Sequence, residues 1–149
     1  VGALSSLIIR DDAMAVKPEN SFITGVHKYL PSSKILHREK MNNPYRGGTA
    51  DWWYSSKLND LWVEYKFLPR VPQRGDMTPE RYGLTALQLD WLRGRHVEGR
   101  NVAVIVGTPK GGVIMRDLAW ETPISPIEFN NGIVERSELA CWIKQQTSG

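Results

Sequence analysis

Leu61-Trp62-Val63-Glu64-Tyr65-Lys66-Phe67-Leu68 reads as a β-strand, rich in aromatic and branched apolar residues. Side chains alternate between the two faces of a strand. Val63, Tyr65 and Phe67 therefore share one face, the expected core face. Glu64 and Lys66 share the other, so the strand presents an acid and a base side by side. Just upstream, Thr49 to Tyr54 predicts a second strand. Lys57-Leu58-Asn59-Asp60 between them reads as a hairpin turn, which would bring Asp51 close to Glu64.

Outward from this hairpin the other elements follow. Lys17-Pro18-Glu19-Asn20 opens a helix, with Pro18 at an early position; Phe22, Val26 and Leu30 recur at helical spacing until Pro31 stops it. Residues 34–41 predict a first strand, and Pro44 to Gly48 a loop. Residues 69–84 hold three prolines and three arginines, a basic irregular connection of the kind that often carries function. Thr85 and Gln88 form a capping-box pattern that starts a helix. Its inward face is expected to carry Leu84, Leu87, Trp91 and Val97, and Gly99 to end it. Asn101 to Gly107 predicts a buried strand. Lys110-Gly111-Gly112 turns it into a short strand, Val113 to Arg116. Ser137 is expected to cap a last helix reaching about Gln146. The resulting order predicts an α/β class, with helices packed on a mixed central β-sheet.

The chain has 149 residues, 41% hydrophobic and 23% charged, which is ordinary for a globular fold and enough for one core. Residues 1–13 are expected to be an extension and 14–149 a single domain. The net charge of +3 permits a nucleic-acid partner without requiring one. The lone Cys141 excludes a disulfide within the chain and is expected to be buried; it suits a reducing compartment, hence a cytoplasmic protein. No apolar run has the length of a membrane span, so no membrane partner is expected. His27, His37 and His96 lack ligand spacing.

Two carboxylates brought together repel unless something neutralises them. Asp51 and Glu64 are hard oxygen donors that suit Mg²⁺ or Mn²⁺, with water and a substrate phosphate completing the shell. Such a metal polarises a phosphate and acidifies a bound water. Lys66 can then orient that water or stabilise transition-state charge. Candidate DNA contacts are Lys40, Arg46, Arg70, Arg74, Arg81 and Arg93, with the group 70, 74 and 81 favoured because that loop leaves directly from Lys66. Trp52 and Trp53 flank Asp51 and are expected to pack in the core.

In order, Gly47-Gly48-Thr49-Ala50-Asp51, then Trp62-Val63-Glu64-Tyr65-Lys66, then the helix with Gln88, then Gly99 to Val106 resemble the PD-(D/E)XK nuclease superfamily. The closest resemblance is to its virus-type replication-repair (VRR-NUC) branch, over Glu19 to Met115. Ala50 stands where that branch has a proline, a residue that shapes the chain and binds no metal. The resemblance implies a restriction-endonuclease-like core, with Asp51, Glu64 and the Tyr65 carbonyl holding the metal and Lys66 as catalytic lysine. It also implies a catalytic-site position for Gln88, whose alternative reading is a pure cap, and a completing metal ligand in Glu19, whose alternative is a residue favoured by the helix dipole. The implied activity is metal-dependent cleavage of DNA, on branched or junction structures, by a homodimer. A phage source, and so a host-cell cytoplasm, is implied only by the resemblance. The alternatives are a sequence-specific endonuclease of the homing or restriction kind, and an inactive DNA-binding module.

Overall fold

A computed structural model describes residues 18–41 and 47–149. The expected boundary after residue 13 and the candidate Arg46 lie outside the described residues. Five strands form one mixed sheet in sequential order. They are β1 (His37–Lys40), β2 (Trp52–Ser55), β3 (Asp60–Phe67), β4 (Val102–Thr108) and β5 (Gly111–Met115). The helices are α1 (residues 18–27), α2 (Pro79–Tyr82), α3 (Ala86–Val97), α4 (Pro126–Asn131) and α5 (Arg136–Thr147).

β1, β2 and β3 form an antiparallel meander, with Trp53 opposite Trp62. The long excursion through α2 and α3 returns the chain parallel to β3, so β4 pairs with it from Trp62–Val102 to Phe67–Gly107. β5 closes the sheet as a hairpin on β4. This is the α/β class that the order of elements predicts.

Both faces of the sheet are covered. Leu61, Val63 and Tyr65 of β3 join Ala103 and Ile105 of β4 against Phe22 and Val26 of α1 and Leu139 and Ile143 of α5. Val102, Val104 and Val106 point the other way, against Leu92, Tyr82, Trp120 and Phe129. Two covered faces explain why β4 is an unbroken apolar run. Each fully buried side chain of this size is worth ~1.5–3 kcal/mol of burial. α1 lies close to the sheet because Gly107 lacks a side chain: a Cβ there would meet the Phe22 ring at 2.7 Å.

Four expectations need correction. Leu87 is 62% and Val97 73% exposed, so α3 does not turn that stripe inward. Leu92 is the buried residue, with Leu89 and Trp91 partly so. The helix is rotated to turn Gln88 toward the sheet, and Leu87 lies instead against the Gly47 loop. Cys141 is exposed, because α5 buries Leu139, Ala140 and Ile143 on its other side. Ser137 is inside α5, which starts after Glu135. Residues 69–84 are not wholly irregular: Thr78 caps α2, with Pro79 at its start. The sequence reading also missed α4, whose Ser125 and Glu128 form a capping box.

Candidate active site

Asp51 lies one residue before β2, not within it. Its backbone carbonyl accepts from the Met41 amide at 2.7 Å, which prolongs the β1–β2 ladder by one bond. Its side chain crosses to β3, where Oδ2 accepts from the Tyr65 N–H at 3.3 Å. The loop ahead of it is held tightly. Gly48 has φ +96°, and a Cβ there would sit 2.3 Å from the Leu87 carbonyl oxygen. Only glycine tolerates both conditions. The approach fastens the Asp51 loop to the first turn of α3.

Glu64 is 1% exposed on the face covered by α3. Its Oε2 lies 3.8 Å from the Lys66 ammonium and accepts from Gln88 Nε2 at 3.3 Å. Gln88 also accepts from the Thr85 N–H through Oε1 at 2.9 Å, while the Thr85 hydroxyl accepts from the Gln88 N–H. The Gln88 oxygen caps α3 and its nitrogen donates to Glu64, so the side chain is not a pure cap. Burial, then the neighbouring Asp51 carboxylate, push the Glu64 carboxyl well above the usual carboxylate range, against the opposing pull of Lys66.

Glu19, on the first described turn of α1, is half-buried. Burial first and Asp51 second raise its pKa, while Lys66 and Lys40 lower it. Glu19 thus feels the charges of the site. Among the described residues, however, no three His, Cys, Asp or Glu side chains are gathered at metal-holding spacing. The candidate donor set is the Asp51 and Glu64 carboxylates with the Tyr65 carbonyl.

That set fits a hard divalent cation. Glu64 Oε1 is buried and has no hydrogen-bond partner among the described residues. A carboxylate oxygen away from water is costly; protonation relieves that cost, and a divalent cation would do so with the carboxylate ionised. The Tyr65 carbonyl is available too. Along β3, even-numbered Trp62 and the residue after the strand, Leu68, donate toward β4, whereas Tyr65 donates to Asp51 on the β2 side. N–H and C=O of one strand residue point to the same neighbour. β2 starts at Trp52 opposite Val63, so the Tyr65 carbonyl faces the space beyond its end.

The candidate cations divide. Lys40 is exposed on β1, close enough for its charge to act on Glu19. Arg70 and Arg74 are exposed on the connection that leaves β3. Arg81 is committed to that connection: one guanidinium nitrogen donates to the carbonyls of Arg74, Gly75 and Asp76 at 2.7, 2.8 and 3.2 Å. It shapes the loop. Arg93 is held by both carboxylate oxygens of Glu121, through Nε at 3.1 Å and through Nη2. Trp52 packs edge-on to His27 and against the core on the α1 side, as expected, whereas Trp53 stacks on Trp62 and is only partly buried, outside both core clusters.

Sequence reasoning missed two positioning residues. One is Gly48, for which the Gly-Gly pair signals a turn but not the partner. The other is Gly83, whose φ of +86° lets it end α2 beside the Lys66 stem.

No protein-family model matches the chain, and no curated protein matches it. Among solved structures the chain is similar to the Holliday junction resolvase Hjc of Archaeoglobus fulgidus, with 15% sequence identity and a TM-score of 0.49 over 84% of this chain and 97% of that one. A likeness at that level is one of backbone course and defines neither substrate nor site residues. No helix among the described residues is long and apolar enough to cross a membrane.

Proposed function

We propose that the chain is a metal-dependent nuclease that hydrolyses DNA phosphodiesters on a restriction-endonuclease-like PD-(D/E)XK core of the VRR-NUC kind. The observation that carries this reading is the convergence of Asp51, Glu64 and Lys66 at one covered point, with a Glu64 oxygen left without a partner. Such a site is expensive to keep empty of charge compensation, and expensive clusters of this kind mark function.

Asp51, Glu64 and the Tyr65 carbonyl would hold Mg²⁺ or Mn²⁺, with Glu19 adding negative charge from α1. When bound, the cation supplies Lewis-acid polarisation of the phosphate and a more acidic water. The protein groups have separate tasks. Tyr65 N–H fixes the Asp51 carboxylate, and Gln88 fixes the Glu64 carboxylate. Lys66, within 3.8 Å of Glu64, is positioned to hold the attacking water or to stabilise charge on the phosphoryl oxygens. The water oxygen bonds to phosphorus as one P–O ester bond breaks; the water's proton passes to solvent and the departing alkoxide oxygen takes one up, giving a phosphate monoester and a free hydroxyl. Lys40, Arg70 and Arg74 supply phosphate contacts that carry affinity without sequence information. Arg46 belongs to the same proposed group. Arg81 and Arg93 act through the loop and the Glu121 pair. Residues 14–149 form the nuclease domain, which works as a homodimer on branched or junction DNA.

The test is cleavage of a labelled four-way junction, a matched duplex and a single strand, in Mg²⁺, Mn²⁺ or EDTA. Wild type is expected to cut in either metal and not in EDTA. Lys66→Ala is expected to lower the rate by at least ~10²-fold, the scale of losing one charge-stabilising donor. Equal cutting by Lys66→Ala and wild type would overturn the assignment of that lysine. No cutting of any substrate, with binding retained, would replace the nuclease by a binding module.

A further inference from the structure

The covered face that holds Glu64 does not stop at the carboxylates. It continues toward the start of β3 and opens into a groove of about 950 Å³, between the β2–β3 hairpin and the loop from α3 to β4. Three segments link the two places. Glu64 and Trp62 are two apart on one face of β3, Gln88 and Trp91 three apart on α3, and Asp51 and Thr49 two apart in the loop before β2. In each pair the first residue belongs to the candidate active site and the second lines the groove. With a strand rise of ~3.3 Å per residue, Trp62 begins ~7 Å from Glu64 and Asp60 lies ~13 Å from it.

The lining has two chemistries. Trp62 and Trp91 are both partly exposed, and their rings meet edge-on at 5.7 Å. Trp53 stacks nearly parallel on Trp62, at 5.6 Å and 15°, so the indole is braced from a neighbouring strand. Around this platform stand Lys57, Arg95, Arg100 and Arg116, opposed by Asp60 and Asp117. Arg95 is paired with Glu98 at 2.6 Å, and Arg116 lies over the Trp142 ring at 5.8 Å. Among the described residues Lys57 and Arg100 form no ion pair, and both are exposed. Aromatic faces interleaved with uncommitted cations are what an unpaired nucleic-acid strand requires: stacking for the base and positive charge for the phosphates. A duplex offers no free base face to the indoles.

We propose that this groove binds an unpaired stretch of the DNA strand next to the scissile phosphate, a base lying against Trp62 and Trp91 and phosphates held by Lys57 and Arg100. The proposal rests on the nuclease reading and deepens it: the preferred substrate has single-stranded character on one side of the cut.

The test compares wild type with Lys57→Ala/Arg100→Ala, a pair of surface changes outside the catalytic cluster. Binding of a fluorescein-labelled duplex with a single-stranded arm, and of a blunt duplex of the same length, is followed by anisotropy in EDTA. The double variant is expected to lose roughly tenfold in affinity for the armed duplex. Its log–log salt slope should be shallower by about 1.4, two single-strand phosphate contacts at about 0.7 each. Binding to the blunt duplex should change less than about twofold, the behaviour of contacts made only to the unpaired arm. An unchanged affinity for the armed duplex, or an equal loss on both, would overturn the groove. A second measurement is independent of these variants. A 5-iodouracil base placed in the arm is expected to photocrosslink wild type at Trp62 or Trp91, read by mass spectrometry; adducts elsewhere only would sink the proposal. Wild-type cutting alongside a double variant indifferent to the arm removes the groove and leaves the nuclease. Absence of any cutting or binding by wild type removes the nuclease reading itself.

Discussion

At the scale of single residues the site is governed by charge kept away from water. Glu64 is buried, and one of its oxygens has no partner. Burial and Asp51 together favour its protonated form. Glu64→Gln is therefore expected to abolish cleavage while leaving the thermal midpoint in EDTA equal or higher, since a buried carboxylate is removed. Saturating Mg²⁺ should raise the wild-type midpoint and not the variant's, because only a site that binds the ion is stabilised by it. A midpoint several degrees lower for the variant in EDTA would show that the carboxylate supports the fold. Gly48→Ala should cost ~1–3 kcal/mol in urea unfolding and lower activity, because φ +96° and the Leu87 carbonyl both oppose a Cβ. The shared face of Glu64 and Lys66 was legible in the sequence because strand alternation is a local rule, and the nearness of Asp51 because a hairpin turn is one too. The part played by Gly48 was not, because its constraint comes from a helix much further along the chain.

At the scale of elements α3 does two jobs through one capping box. Thr85→Ala removes a cap bond and leaves the Gln88 amide beside Glu64; Gln88→Ala removes both. Each is expected to cost ~1 kcal/mol of stability, the usual scale for a cap. Cleavage should separate them: near wild type for Thr85→Ala, and down roughly tenfold or more for Gln88→Ala, whose loss unfastens the hydrogen bond to Glu64, a charged group once a cation is held there. Equal losses of activity would assign Gln88 to the helix alone. The capping pattern predicted where α3 starts, because a cap is made by four consecutive residues. Which stripe turns inward was misread, since Leu87 is drawn to the Gly47 loop and Gln88 to a buried acid. α2 and α4 were missed because they are short, and their proline-led starts look like turns.

At the scale of the molecule the far side of the sheet carries a polar chain through the core. His27 Nε2 is 2.6 Å from the Tyr54 hydroxyl, which is 2.6 Å from that of Tyr65. Burial, and then the Arg38 charge, push the His27 imidazole down to about 4. Its folded pKa is depressed below the unfolded value of about 6.5, so the unfolded chain binds the proton more readily between those values. His27 thus contributes stability above pH ~6.5 that is lost as pH falls toward 4. Glu64, with its raised pKa, has the opposite slope: stability present at low pH is lost as pH rises. The His27 contribution is isolated by comparing His27→Gln with wild type. The difference in thermal midpoint between pH 7 and pH 5 should be smaller in the variant, and an identical pH dependence would remove His27 as a source.

The sequence by itself determined the hairpin that brings Asp51 to Glu64, the alternation that sets Glu64 and Lys66 on one face, the start of α3 and the buried character of β4. Each follows from residues adjacent along the chain, through strand period, turn chemistry or a cap. The tertiary structure alone decided which cations remain uncommitted, since Glu121 takes Arg93 and three loop carbonyls take Arg81. It also decided that Cys141 faces solvent and that Trp62 and Trp91 meet in a groove beside the carboxylates. Ion pairing and burial depend on what distant segments place opposite a residue, and no periodicity along the chain contains that information.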